Sequence, residues 1–394
     1  MRVVYTVLII IKELKHPIMD KAGIYLHIPF CKTKCIYCDF YSVTKRDDSM
    51  SEFIDCLIKE IKLNKNKLIN YDFDTIFFGG GTPSVLTQEQ LEKILASLYE
   101  CYKINKNAEI TLECNPGEIS YEKLKDFRKL GVNRLSIGFQ SFNDDILKFL
   151  GRLHSSDQSI STYKEARKAG FDNINIDLIY DIPKQKLRDW KNDLFLGTSL
   201  EPEHISAYSL TVEQNTVLYS MVKNKKVYMP SEKMDKKMFL STIDYLENKN
   251  YQHYEISNFC KNKKECQHNL HYWRLEPYLA FGPGAHGFDG KKRWWNKRSL
   301  DHYLNTLEKN NSPIESEEIL TTKESFNENI MNGLRLIEGA NINKLKKNLN
   351  EDLESYLKPY KKKWPYLNNT GENLTLKKEG LLFADEIIAD LFLI

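Results

Sequence analysis

Residues 23–40 read GIYLHIPFCKTKCIYCDF, a short apolar run followed at once by Cys31, Cys35 and Cys38 in a CxxxCxxC array. Ile24 to Ile28 has the length and apolarity of a buried strand, and Pro29, which cannot donate to a ladder, ends it. Three thiols on one loop beyond a strand can face a common point. Iron-sulfur clusters are usually held by four cysteine thiolates, so a loop offering three leaves one iron of a [4Fe-4S] cluster open to another ligand. Two plainer readings stand beside this one. A zinc site needs a fourth ligand, for which His27 is the nearby candidate, although inside a strand that ring is expected to pack or hydrogen-bond. Three ordinary core cysteines are the other reading. Against it stands the crowding of three of the eight cysteines into positions 31 to 38, beside Lys32 and Lys34.

From Gly23 onward, apolar runs alternate with longer amphipathic stretches, the pattern of parallel strands joined by crossover helices. Strands are expected at 24–28, 75–78, 109–112, 133–139, 173–179 and 204–210. Helices are expected at 51–68 with Ser51 as N-cap, in a stretch capped by Thr87, and at 121–130, 156–169 and 186–200. The fold class is α/β, a partial (β/α)6 barrel over residues 19–215, whose functional residues belong at the C-terminal strand ends. The polar motifs of this half fall there. Gly79, Gly80 and Gly81, followed by Thr82 and Pro83, give close backbone approach and free amides, or simply a tight turn. Glu113 closes the third strand, Gln140 follows the fourth, Arg152 lies just beyond, and Asp177 is in the fifth. Two carboxylates, an amide and a guanidinium round one barrel mouth suit a ligand with hydroxyls, an ammonium and a carboxylate.

Past Thr211 the alternation stops, which divides the rest into residues 216–320 and a tail, 321–394. Residues 231–248 read as a helix. The segment Cys266 to Trp273, CQHNLHYW, is dense in polar and aromatic side chains. On a helix His268 and Tyr272 share a face, with Asn269 and Trp273 one step round. An imidazole among large aromatics is a seat for a flat, iron-bearing ligand such as haem. The same residues read equally as packing against the barrel. Cys260, Cys266, His268 and His271 also suggest zinc, although the one-residue gap from Cys266 to His268 is too tight for the usual spacing. His271 is the alternative iron ligand. FGPGAHGF, residues 281–288, marks a loop of close backbone approach in which His286 reads as structural.

The chain has 394 residues, 41% of them hydrophobic, and 57 Lys and Arg against 54 Asp and Glu, a net charge of +3. That balance gives no argument for nucleic acid as a partner. Eight cysteines without a disulfide framework indicate a reducing compartment, hence a cytoplasmic location. Val3 to Ile11 is too short to span a bilayer, which takes about 20 apolar residues. Met19 offers a second start, which leaves residues 1–18 as an N-terminal extension.

YLHIPFCKTKCIYCDFYS resembles the radical S-adenosylmethionine (SAM) superfamily. More narrowly it resembles the group of oxygen-independent coproporphyrinogen III oxidase and the HemW-type haem chaperones. The resemblance implies a [4Fe-4S] cluster on Cys31, Cys35 and Cys38, with SAM chelating the fourth iron. It assigns SAM contacts to Tyr25, Tyr37, Gly80, Gly81, Thr82, Glu113, Gln140, Arg152, Asp177 and Ala207. HNLHYW is similar to the HNxxYW motif of the HemW group, which makes His268, Asn269, Tyr272 and Trp273 the expected haem residues. YEISNF before it and FGPGAHGF after it are similar to the same group, and residues 374–386 resemble its winged-helix-like tail. Phe40 stands where the oxidase places a fourth cysteine, and the stretch before Tyr25 is shorter than the oxidase's N-terminal region. Both departures favour the chaperone over the oxidative decarboxylation of porphyrinogen propionates. The partners then implied are haem, a haem-accepting protein, with peripheral contact to membrane haem proteins, and an electron donor.

Overall fold

The computed structural model describes residues 20–394; the extension over 1–18 lies outside the described residues. The six apolar runs form parallel strands, each paired with the next: β1 (Lys21–Ile28), β2 (Asp72–Gly80), β3 (Ile104–Cys114), β4 (Arg134–Gln140), β5 (Ile174–Tyr180) and β6 (His204–Ser209). Helices α1 (Met50–Leu63), α2 (Gln88–Cys101), α3 (Tyr121–Lys129), α4 (Asp144–Leu150), α5 (Ser156–Lys168) and α6 (Leu187–Ser199) connect them. Strand side chains alternate between two faces. One set, including Leu26, Phe78, Leu112, Ile137, Ile176 and Ile205, shares a continuous core with Phe53, Leu57, Leu91 and Leu98 of the helices. The other set, which carries Glu113, Ser136, Gln140 and Asp177, faces the inside of the curl and is free to be polar.

Two local details differ from the sequence reading. Ser49, not Ser51, is the N-cap of α1, without a side-chain cap bond, and the helix ends at Leu63. Helix α4 was not expected, being too short to show a helical period. Asn143 starts it by accepting from the Asp145 and Ile146 amides, and Gly151, at φ +79, ends it in the left-handed region. Thr87 does cap α2, in a reciprocal box with Gln90.

The second half extends the same sheet at both edges. Beyond helices α7 (Val217–Lys223) and α8 (Glu232–Asn248), strand β7 (Gln252–Glu255) pairs with β8 (Asn258–Cys260), which lies antiparallel on β6. After helix α9 (Gln267–Trp273), strand β9 (Tyr278–Phe281) lies parallel to β1 at the opposite side. Antiparallel strands β10 (His286–Phe288), β11 (Lys292–Asn296) and β12 (Ile314–Ile319) follow, with helix α10 (Leu300–Glu308) between the last two. The result is one 12-stranded sheet.

The tail holds helix α11 (Thr322–Gly333), strand β13 (Ala340–Asn341), helices α12 (Ile342–Lys347) and α13 (Leu353–Lys363), strands β14 (Leu367–Thr370) and β15 (Asn373–Leu376), and helix α14 (Ala384–Asp390). Its three strands form a separate antiparallel sheet. The tail covers the β7 edge. The Ile256 amide donates to the Arg335 carbonyl at 2.9 Å, and the Ile337 amide to the Tyr254 carbonyl at 3.1 Å. The β12 edge, by contrast, is exposed and carries Glu315, Glu317 and Glu318, charges that discourage further strand pairing.

Candidate functional site: a cysteine-lined barrel mouth

A cavity of about 590 Å³ opens at the C-terminal ends of the parallel strands. Cys31, Cys35 and Cys38 line one wall of it, all three unpaired. Their loop is held at both ends. The Cys31 amide donates to the Val43 carbonyl at 2.9 Å, the Val43 amide to Pro29 at 2.7 Å, and the Ile36 amide to Leu150 at 3.3 Å. Two cavity side chains reach the sulfurs, Thr82 Oγ1 to Cys31 Sγ and Arg152 Nη1 to Cys35 Sγ, each at 3.5 Å. Burial pushes the Cys31 thiol up and the Cys38 thiol to about 11, with the neighbouring sulfurs adding to both shifts. Bare thiolates are thus disfavoured here, and a bound cation reverses that, since a coordinating thiol is deprotonated outright. Among the described residues no three His, Cys, Asp or Glu side chains surround a point where a single metal ion would sit. Three thiolates that each take a different iron of a cluster have no need to meet at one point, so the donor set fits a cluster.

Opposite the cysteines, the strand ends supply the polar wall. The Gly80 amide donates to Glu113 Oε2 at 3.1 Å. Gly80 has φ +108, and a Cβ there would lie 2.6 Å from the His27 ring. A Cβ on Gly81 would sit 2.7 Å from the Phe30 carbonyl oxygen and 2.8 Å from that of Ile28. Both glycines are therefore required where the ends of β1 and β2 converge. Asp177 accepts from Asn175 Nδ2 at 2.8 Å and Ser136 Oγ at 3.0 Å, yet burial still raises it. Burial first, then the charge of Asp177, pushes Glu113 up to about 8. Arg152 is fixed by Asn115 Oδ1 at 2.6 Å and the Gly138 carbonyl at 3.0 Å. Gln140 adopts φ +65, a backbone strain of the kind that collects at functional sites.

Of the ten residues expected to touch SAM, Tyr37, Gly80, Gly81, Thr82, Glu113, Gln140, Arg152 and Asp177 line this cavity. Two do not. Ala207 belongs to the outward set of β6 and is buried in the helix-side core, because the parity of the strand turns it away. Tyr25 lies one step below the mouth, with its hydroxyl 3.1 Å from His27 Nδ1; His27 Nε2 in turn donates to the Tyr41 carbonyl, 2.8 Å away, as expected for a hydrogen-bonded strand histidine. Asn115, Ser136 and Tyr208 were missed and line the cavity. The inward parity of β4 and β6 is the signal that marks Ser136 and Tyr208, whereas Asn115 follows the end of β3 and has no such pattern.

HNLHYW forms α9, which packs against β1 and β2 at the opposite end of the barrel from the cysteines. His268 is buried. Its Nδ1 is 2.8 Å from Thr75 Oγ1, its Nε2 is 2.8 Å from the Tyr272 hydroxyl, and its ring stacks on Phe77 at 5.2 Å between centroids. The Glu109 carboxylate accepts from the Gln267 and His268 amides, 3.3 Å each, at the start of the helix. His271 sits between Asp74 and Glu276, 2.7 Å from each. Burial alone lowers its affinity for a proton, but the two carboxylates outweigh that and raise it to about 9. In this conformation both ring nitrogens of His268 face hydrogen-bond partners, and the two carboxylates beside His271 favour its protonated form. Asn269 and Trp273 are half-buried beside them.

Residues 25–196 match the Radical SAM superfamily. The chain is 34% identical to the heme chaperone HemW of Bacillus subtilis over 368 residues, 92% of this chain and 97% of that one. It is 32% identical to the heme chaperone HemW of Mycobacterium tuberculosis, with 94% of each chain covered. Among solved structures, coproporphyrinogen III oxidase (HemN) from Escherichia coli superposes with a TM-score of 0.82 over 95% of this chain and 90% of that one, at 21% identity, a likeness of fold. With a cysteine-lined mouth on a barrel of this kind and such similarity along nearly its whole length, the chain belongs to the HemW family of the radical SAM superfamily.

Proposed function

We propose that this chain is a haem chaperone that binds haem and passes it to an acceptor protein, and that it carries a [4Fe-4S] cluster and SAM at the barrel mouth. The observation that carries the reading is the end-to-end similarity to proteins named heme chaperones, 97% of the Bacillus protein being covered. Phe40 supports it. It is 68% exposed at the rim of the cavity, where the porphyrinogen oxidase resemblance calls for a further cysteine.

Cys31, Cys35 and Cys38 would hold the cluster, which supplies one electron to SAM when both are bound. The residues of the chain bind and orient. Gly80, Gly81, Thr82 and Glu113 would receive the amino group of SAM, Asp177 its hydroxyls, and Arg152 and Gln140 its carboxylate. The lining of the cavity keeps Glu113 largely protonated until a cationic partner arrives. Unpaired cysteines at all eight positions support a cytoplasmic setting. No helix among the described residues is long and apolar enough to cross a membrane.

Anaerobically reconstituted protein with SAM and a reductant is offered haem in one tube and coproporphyrinogen III in another. Near-stoichiometric haem uptake without porphyrinogen conversion is expected. Conversion to protoporphyrinogen would make the chain an oxidase and overturn the chaperone reading.

A further inference from the structure

The inward faces of β5 and β6 stay polar below the cavity, where a barrel interior is ordinarily filled by branched apolar side chains. Asn175 and Asp177 share one face of β5, and in register beside them His204 and Ser206 share one face of β6. Asp177 lines the cavity, whereas Asn175, His204 and Ser206 lie behind it and are buried. Buried polar groups of this kind need hydrogen-bond partners, and the partners here fix the direction of each bond.

The Asn175 amide lies between a carboxylate and an imidazole. Its Nδ2 donates to Asp177 Oδ1 and to Ser136 Oγ, 2.8 Å each, and Ser136 Oγ donates to Asp177 Oδ2 at 3.0 Å. Its Oδ1 can only accept, and it does so from Ser206 Oγ at 3.1 Å and His204 Nδ1 at 2.6 Å. The His204 proton is therefore on Nδ1. Burial, then the charge of Arg134, holds this ring well below the usual histidine range, so it is neutral and its Nε2 accepts, here from the Tyr254 hydroxyl at 2.8 Å. The Tyr254 oxygen accepts in turn from the amide of Cys266, the N-cap of α9, at 3.3 Å. Every bond of the chain from α9 to Asp177 thus points the same way, toward the carboxylate.

We propose that Tyr254 and His204 are positioning residues for the SAM site: they fix the Asn175 amide, which with Ser136 holds the Asp177 carboxylate in one orientation toward the hydroxyls of the ligand. The inference rests on the reading that SAM binds at the barrel mouth. Each carboxylate oxygen has two lone pairs. Asn175 and Ser136 take one on each oxygen, which leaves one on each for a hydroxyl. Without the Tyr254 hydroxyl, His204 is free to carry its proton on Nε2, and its bare Nδ1 then faces the Asn175 oxygen, lone pair against lone pair. The amide relieves that contact only by turning its oxygen toward Asp177, which thereby loses its donor.

Full-length protein with its cluster reconstituted anaerobically, and Tyr254→Phe prepared in the same way, are titrated by equilibrium dialysis with SAM and with an analogue of SAM that lacks both ribose hydroxyls. The substitution keeps the ring and removes the hydroxyl alone. Tyr254→Phe is expected to bind SAM about threefold to tenfold more weakly, the worth of one hydrogen bond, and to bind the analogue as well as the unsubstituted protein does. A merely structural role would weaken both ligands alike. Ser206→Ala removes another donor to the Asn175 oxygen. It is expected to show the same selective loss, and it carries the test if Tyr254→Phe does not fold. Equal loss for both ligands, or no loss for either, overturns the inference and leaves SAM at the mouth. An unsubstituted protein that does not bind SAM overturns both.

Discussion

Glu113 shows how one carboxyl is set by its surroundings. Its burial and the nearby Asp177 push it up to about 8, above the usual carboxylate range, which favours the protonated form at pH 7. In the proposed site the ionised form of Glu113 accepts an amino N–H of SAM, so binding is expected to release a proton. The expected result is SAM affinity that rises as pH rises toward 8 and levels off above it, with proton uptake by the buffer at pH 7 in calorimetry. Glu113→Gln should bind weakly and lose the pH dependence; an unchanged profile in that variant would remove Glu113 from the site. The cysteine array and the eight cavity residues were legible because each lies at a strand end that the sequence marks locally. Ala207 was not, since the side of the sheet it faces follows from strand parity and not from residue type.

At the scale of elements, distant segments are joined by buried polar groups that no local pattern announces. Glu60, on the buried face of α1, accepts from the Gly282 amide at 2.8 Å, Asn296 Nδ2 at 2.6 Å and the Tyr303 hydroxyl at 2.6 Å. It thereby ties α1 to the loop after β9, to β11 and to α10. Glu60→Ala strands three buried donors and is expected to destabilise the fold by about 3 kcal/mol or more, read as a drop in the thermal midpoint. A loss within 0.5 kcal/mol, the range of an ordinary surface change, would show that these segments are held by packing alone. The six parallel strands were readable from their apolar runs, whereas β7 to β12 were not. Several are only three to five residues long, and β9, which joins its neighbours to the barrel, pairs with β1 from the other end of the chain.

Across the whole molecule, the two edges of the 12-stranded sheet are protected by different means. The β7 edge is hydrogen-bonded to residues 335 and 337 and packed under the tail, while β12 depends on its glutamates. A chain ending at Leu320 leaves the Tyr254 carbonyl and Ile256 amide unpaired and uncovers the apolar contacts of Leu336. Such a chain is expected to self-associate, seen as concentration-dependent light scattering that the full chain lacks. Monomeric behaviour of the shortened chain would show that the tail is not needed to cover the edge. The alternation of strands and helices made the barrel legible, but nothing in residues 216–320 by themselves revealed that they complete the same sheet.

The cysteine loop also fixes an order of events during synthesis. Its C-terminal side is held by Arg298, by the Leu300 amide on the Tyr41 hydroxyl, and by Asp301 on Arg46. Those partners lie more than 250 residues downstream of it. A growing chain therefore carries its three cysteines on an unfinished loop until most of the polypeptide has left the ribosome. A cluster held by the three cysteines of the finished fold would therefore be seated late in biosynthesis.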